Sequence, residues 1–145
     1  MKGLGKDVSF QYRSQLLPSV QNHWKRWRSL PGVTKEEIGI VRNASEGNSI
    51  MVQGFDLKPG EEIILWDQNH PSNSIAWEQK AKRSGFVVKK IAMPASPKST
   101  SELVDAFAKA ITPKTRMISF SHISNTSGMA LPAKEICQLQ KAKRS

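Results

Sequence analysis

The sequence predicts an α/β fold, a mainly parallel sheet with flanking helices. Three observations carry this. From residue 38 onward, short β-branched runs alternate with helical stretches, which is how a βαβ succession reads. One of those runs, Glu61 to Trp66, is apolar enough to be covered on both faces, as strands inside parallel sheets are. The composition is globular, with 38% hydrophobic and 23% charged residues and no long Ser, Gly or Pro tract, and 145 residues suffice for one domain with a real core.

The elements follow in order. Ile38-Gly39-Ile40-Val41 is the first strand candidate, and Ser45 to Gln53 reads as a helix ended by Gly54 in the left-handed position. Leu57-Lys58-Pro59-Gly60 is a turn, with Pro presetting φ and Gly supplying a positive φ. Glu61 to Trp66 is the second strand. Pro71 suits the first turn of a helix, where its missing N–H costs nothing, and that helix runs to about Arg83 before Gly85 stops it. Phe86 to Ala92 is the third strand. Ser99-Thr100-Ser101-Glu102 is a capping box, in which the Ser oxygen and the Glu carboxylate satisfy free N–H groups at a helix start. Leu103, Phe107 and Ile111 recur at four-residue spacing as the buried stripe of that helix, and Pro113 closes it. Met117-Ile118-Ser119-Phe120 is the fourth strand, and Pro132 opens a last helix carrying Ile136 and Leu139. Residues 9–30 differ: Leu16, Leu17, Val20, Trp24 and Trp27 are spaced as a helix that packs on something, with Pro18 interrupting it.

Charge and targeting signals exclude several classes. Twenty-two Lys and Arg against twelve Asp and Glu give a net charge of +10, which invites a basic binding module that grips nucleic acid. The distribution argues against it, because the positive residues are scattered and the dense groups are small, Trp24-Lys25-Arg26-Trp27-Arg28 and Lys141-Ala142-Lys143-Arg144. No apolar run approaches the ~18 residues of a membrane span, and Met1 to Asp7 lead into no apolar signal core, so a cytoplasmic location without a membrane partner is expected. Cys137 is alone, which rules out an intrachain disulfide and leaves no metal site in view; a half-buried helix position is its plain reading. Neither a Gly-x-Gly-x-x-Gly turn nor a Gly-x-x-x-x-Gly-Lys-Ser/Thr loop is present.

Three segments place small polar residues just after a strand, where α/β proteins gather ligands beyond the carboxyl edge of the sheet. In Arg42-Asn43-Ala44-Ser45-Glu46-Gly47-Asn48 a strand feeds a helix whose free N–H groups, beside the Ser45 hydroxyl, make a phosphate seat; a plain cap by Asn43 or Ser45 is the alternative. In Asp67-Gln68-Asn69-His70-Pro71-Ser72-Asn73 the His70 ring is placed to stack on a planar ligand, or merely to cap the helix. In Ser121-His122-Ile123-Ser124-Asn125-Thr126-Ser127-Gly128, Asn125 is placed to donate a hydrogen bond to a phenolate oxygen, unless the turn consumes these groups itself.

Taken together, the three segments resemble the class V aminotransferase family of pyridoxal-phosphate (PLP) enzymes, which includes cysteine desulfurases, selenocysteine lyases and isopenicillin N epimerase-like proteins. The resemblance runs through Val41 to Asn48, Gly54-Phe55-Asp56-Leu57-Lys58-Pro59-Gly60-Glu61-Glu62, Asn69-His70-Pro71-Ser72-Asn73 with Trp77, Ser121 to Asn125, and Gly128 to Glu135. It covers about residues 33–141. It implies part of a fold type I large domain over 33–145, preceded by a helical segment over 1–32 that is a remnant of a small domain or linker. It implies that Ser45, with the backbone around Ala44 and Glu46, holds the PLP phosphate, that His70 stacks on the pyridine ring, and that Asn125 bonds the phenolic oxygen. Ala44 departs from the hydroxyl residue common there, and Asn69 stands where an acidic residue often precedes the His. The family's pyridinium-pairing Asp and Schiff-base Lys belong to segments later than Ser145, so no catalytic residue is assigned on this chain. The expectation is a piece of an enzyme acting on amino acids, homodimeric as its family is, inactive alone. In the family's sheet order the first strand pairs with the last, so Ile38–Val41 loses its neighbour and the remaining three strands keep an open edge; marginal stability and association are expected.

Overall fold

The computed structural model describes residues 37–94 and 96–142, together with Ser14, residues 17–19, Asn22, Gly32 and Thr34. The chain divides into two compact units, Met1–Val41 and Arg42–Ser145. In the first unit, Leu17, Pro18, Ser19 and Asn22 are helical, so Pro18 sits in helical backbone where an interruption was expected. Leu16, Val20, Trp24 and Trp27 lie outside the described residues.

In the second unit the elements alternate as α1 (Ala44–Gly54), β1 (Glu62–Trp66), α2 (Pro71–Ser84), β2 (Val87–Ile91), α3 (Thr100–Ala110), β3 (Thr115–Ile118) and α4 (Ala133–Ala142). The three strands form one parallel sheet in the order β2-β1-β3. β1 is central and every one of its residues is buried, as its unbroken apolar run foretold. Successive side chains of a strand point to opposite faces. Ile63 and Leu65 therefore meet Val52 of α1, Trp77 of α2, Leu57 and Phe86 on one side. Ile64 and Trp66 meet Leu103, Phe107 and Ile111 of the α3 segment, Ile136 of α4, Met93 and Leu131 on the other. The result is helix, sheet, helix, with the β1 side chains feeding both cores. Each large apolar side chain buried this way contributes about 1.5–3 kcal/mol relative to exposure.

The stop and start signals acted as physics requires, with two exceptions. Gly85 adopts φ +76°, and its N–H closes α2 on the Ala81 carbonyl at 2.8 Å. Ser99 accepts the Glu102 N–H at 3.3 Å, while the Glu102 carboxylate reaches one residue further back, to the Lys98 N–H at 2.9 Å. The first exception is Gly54, which is helical and not left-handed. The Lys80 ammonium donates to the carbonyls of Val52, Gln53 and Phe55, so a side chain from α2 satisfies the end of α1 and no glycine cap is needed.

The second exception is Ile38–Val41, which is not a strand. A strand needs a neighbour for its ladder bonds, and among the described residues none pairs with it; Ile40 and Val41 stay 49% and 39% exposed. β3 begins two residues before the expected Met117, because Thr115 already pairs with Glu62 ahead of an irregularity in the register. Cys137 is exposed rather than half-buried. Among the described residues, no helix is long and apolar enough to cross a membrane, and no group of three or more His, Cys, Asp or Glu is placed to hold a metal.

Candidate functional site

A parallel sheet directs the carboxyl ends of all its strands to one edge, so the loops after β1 and β3 must emerge together. The N-terminus of α1 joins them there. Asn43 caps α1 with extended backbone, its side chain accepting the Glu46 N–H at 3.0 Å and its carbonyl the Gly47 N–H at 3.2 Å. The Glu46 carboxylate turns away to the Arg42 N–H at 2.6 Å. The amides of Ala44 and Ser45, first and second in the helix, have no intrahelical acceptor by position and carry the positive end of the helix dipole. Of the three residues expected around the phosphate, Glu46 thus has its amide engaged by Asn43, while Ala44 and Ser45 are exposed at the helix mouth.

His70 is the N-cap of α2. Its Nδ1 accepts the Ser72 N–H at 3.2 Å and lies 2.8 Å from the Ser72 hydroxyl. An acceptor role for Nδ1 puts the proton of a neutral ring on Nε2, and the residue is exposed. The Ser72 hydroxyl also accepts from Asn48 Nδ2 at 3.2 Å, joining the His70 loop to α1.

Past β3, the His70 N–H donates to the Ser121 hydroxyl at 3.3 Å, and the Ser121 N–H donates to Asn69 Oδ1 at 2.6 Å. Further along, the Ser127 hydroxyl donates to Gln68, so three hydrogen bonds tie the 121–128 loop to the β1–α2 loop. The three segments singled out in the sequence meet at one rim.

Between them lies a cleft of about 420 Å³, lined by Asn43, Ala44, Ser45 and Asn48 of the α1 start, His70, Ser72 and Asn73 of the α2 start, and Phe120 and Ser121 after β3. That volume is within the range of small-ligand pockets. Among the described residues, no Lys, Arg, Asp or Glu lines it. Phe120 forms an apolar wall, braced by Phe107 at a ring separation of 5.8 Å. Asn125 is placed differently: it is exposed on a turn whose amides at Thr126 and Ser127 both donate to Ser124 Oγ at 3.1 Å, and it does not line the cleft.

The site also contains side chains that had no assigned part. Asn48, Asn73, Ser119 and the buried Asn69 link its walls from beneath. Asn is a poor helix former, so Asn73 in the first turn of α2 and Asn48 in the second turn of α1 were the one available signal.

The family model for aminotransferase class-V matches residues 7–145. The chain is 30% identical over 127 residues to isopenicillin N epimerase of Amycolatopsis lactamdurans, covering 86% of this chain and 32% of that protein. It is 34% identical over 106 residues to a probable cysteine desulfurase of Synechocystis sp., covering 71% of this chain and 24% of that protein. Among solved structures, a mutant of C-DES with glycine covalently linked to the PLP cofactor superposes with a TM-score of 0.75 at 25% identity, over 97% of this chain and 36% of that one. A cysteine desulfurase from Escherichia coli superposes with a TM-score of 0.76 at 21% identity, over 97% and 35% of the two chains, a likeness of fold. The chain therefore spans about a third or less of the length of these relatives.

Proposed function

The chain belongs to the aminotransferase class-V family, and from that premise we propose that its cleft is one part of a PLP site in an enzyme acting on amino acids. The observation that carries the reading is the joint lining of one cleft by the start of α1 and by His70. The free amides of Ala44 and Ser45, with the Ser45 hydroxyl, fit a phosphate, since a helix N-terminus favours an anion and its N–H groups point at it. Glu46 contributes backbone dipole, its amide being held by Asn43. His70, fixed at Nδ1 by Ser72, presents a flat ring to the cofactor ring, and Phe120 lends the cleft an apolar wall.

Asn125 is the outlying member. It is proposed for the phenolic oxygen, from a turn that Ser127 ties to Gln68 just outside the lining. When bound, PLP supplies an electron sink for the α-carbon of an amino acid; this chain's residues bind and orient it, and the proton-moving lysine is proposed to lie on the remainder of the enzyme. Homodimeric assembly and a cytoplasmic setting belong to the same proposal.

The test is calorimetric binding of pyridoxine 5′-phosphate, whose alcohol cannot react with surface lysines. Ser45→Ala and His70→Ala are each expected to weaken it roughly tenfold, the loss of one good contact to a charged or planar ligand. Equal affinity in both variants and the parent chain would overturn the assignment.

A further inference from the structure

Asn69 is 7% exposed and uses both ends of its amide. Nδ2 donates to the Ser119 carbonyl at 2.9 Å and to Asn73 Oδ1 at 3.2 Å, and Oδ1 accepts the Ser121 N–H at 2.6 Å. It therefore grips the end of β3 on both sides of Phe120, a wall of the cleft, from the position next to His70. Asn73 continues the link, exchanging hydrogen bonds with the Ser119 hydroxyl at 3.0 and 3.3 Å and reaching Asn48 Oδ1 at 3.4 Å. Asn48 holds Ser72, and Ser72 holds the His70 ring. The path from α1 to His70 to β3 is made wholly of neutral amides and hydroxyls.

We propose that Asn69 is a positioning residue, and that it must be an amide: its simultaneous donation to Ser119 and acceptance from Ser121 set the separation of the His70 loop from the Phe120 wall. The inference deepens the cofactor-site reading and rests on it for the binding arm of its test. A carboxylate of the same shape keeps the bond from the Ser121 N–H but turns lone pairs on the Ser119 carbonyl and on Asn73 Oδ1. Only its protonated form can donate.

The partners of the Asn69 amide are neutral. The titratable groups nearest it along the elements around it are Asp67 and His70 on its own loop, His122 after β3, and Glu46 with Arg42 at the start of α1, where the last two pair with each other at 3.3 Å. Arg116 lies on β3, and Glu78, Lys80, Lys82 and Arg83 lie further along α2, with Arg116, Glu78 and Lys80 engaged by Glu61, Lys90 and the α1 carbonyls. Burial without a cation partner favours the neutral acid, so the folded chain holds the introduced proton more tightly than the unfolded chain does. The sign follows: stability relative to the parent is best at low pH and is lost as pH rises through the raised folded value.

Thermal midpoints and pyridoxine 5′-phosphate binding of the full chain, Asn69→Asp and Asn69→Ala, each measured at pH 5 and pH 7.5, test this. The midpoint gap between Asn69→Asp and the parent is expected to open from pH 5 to 7.5, while the Asn69→Ala gap stays constant. Affinity of folded Asn69→Asp is expected to fall about tenfold below the parent at pH 7.5 and to recover at pH 5, with Asn69→Ala weak at both. Equal gaps for Asn69→Asp at the two pH values, or unfolding at both, overturn the amide requirement. A gap that opens with unaltered affinity overturns the positioning role. If the probe binds no form of the chain, the cofactor reading fails, and the midpoints still judge the amide requirement by themselves.

Discussion

At the edge of the sheet opposite the cleft, the Glu62 carboxylate accepts from the hydroxyls of Thr112 at 2.5 Å and Thr115 at 3.2 Å and pairs with the Lys89 ammonium at 2.9 Å. It thus joins β1 to β2, to β3 and to the loop between α3 and β3. Its side chain is 12% exposed and that of Lys89 33%, so the ion pair is partly screened and the hydroxyl bonds carry more of the effect. All three contacts fall on one oxygen, Oε2, so Glu62→Gln can keep an acceptor there but removes the negative charge that strengthens all three. Bonds to charged groups are worth about 1.5–3 kcal/mol each, so a loss of about 2 kcal/mol at pH 7 is expected. For a unit of about 100 residues this lowers the midpoint by ~10 °C in a thermal scan.

The Thr112 hydroxyl first, then Lys89, hold the Glu62 carboxyl below the usual carboxylate range. A lowered folded value means the stabilisation is complete above the ordinary unfolded value and disappears as pH falls through the lowered one. The gap between parent and variant should be full at pH 7, begin to shrink only below the ordinary carboxylate value of about 4.3, and close as pH falls through the lowered folded value. A gap of the same size at pH 3 would refute the reasoning. Because Glu62 stands at the far edge from His70, the affinity of the folded variant for pyridoxine 5′-phosphate should not change.

Other perturbations separate the remaining contributions. Lys80→Met removes the ammonium from the carbonyls of Val52, Gln53 and Phe55; a loss of about 1 kcal/mol and faster hydrogen exchange in the last turn of α1 are expected. Gly85→Ala forces a side chain into φ +76° with its Cβ 3.3 Å from the Pro59 Cβ, and a loss of about 1–3 kcal/mol should appear in the thermal midpoint. β3 ends the sheet among the described residues, beside a recess of about 280 Å³ lined in part by Met51, Trp77 and Met117, and Met51 is 54% exposed. Sedimentation should show concentration-dependent association through this edge, reduced by Met51→Lys with little change in stability.

The elements legible in the sequence were those whose cause is local. Ser99 and Glu102 at the start of α3, Gly85 after α2, and the apolar run of β1 each act through neighbours within a few residues, and each did. Ile38–Val41 has the composition of a strand but needs a partner from elsewhere, and composition does not supply one. Gly54 failed as a cap because Lys80, 28 residues from Val52 in sequence, reached the carbonyls first.

The same division runs through the site. Ser45 and His70 were visible because the carboxyl edge of a parallel sheet is where loops meet. The amide chain beneath them was not, since Asn73 finds Asn48 across 25 residues and Ser119 across 46. Asn69 was read only as a departure from an acidic residue; its burial between Ser119 and Ser121 is a tertiary fact.

The two edges of the sheet divide the work by charge. Glu62 with Lys89 and Glu61 with Arg116 sit at the amino edge, where opposite charges fix the strands to one another. At the carboxyl edge the described lining of the cleft is amides, hydroxyls, an apolar ring and one imidazole, while Asp67, His122 and the Arg42–Glu46 pair stand outside that lining. A net charge of +10 invites the idea that lysines and arginines grip a phosphate, yet among the described residues no Lys or Arg borders the cleft. What an anion meets there is the partial charge of oriented backbone N–H groups, which need no flexible side chain to be ordered and hold no counter-ion to be displaced. A carboxylate at position 69 loses the donation to the Ser119 carbonyl and to Asn73 Oδ1 that the amide makes. Neutral Asn69, which departs from the acidic residue often found there in the family, therefore fits the neutral amides and hydroxyls that it bonds beneath the cleft.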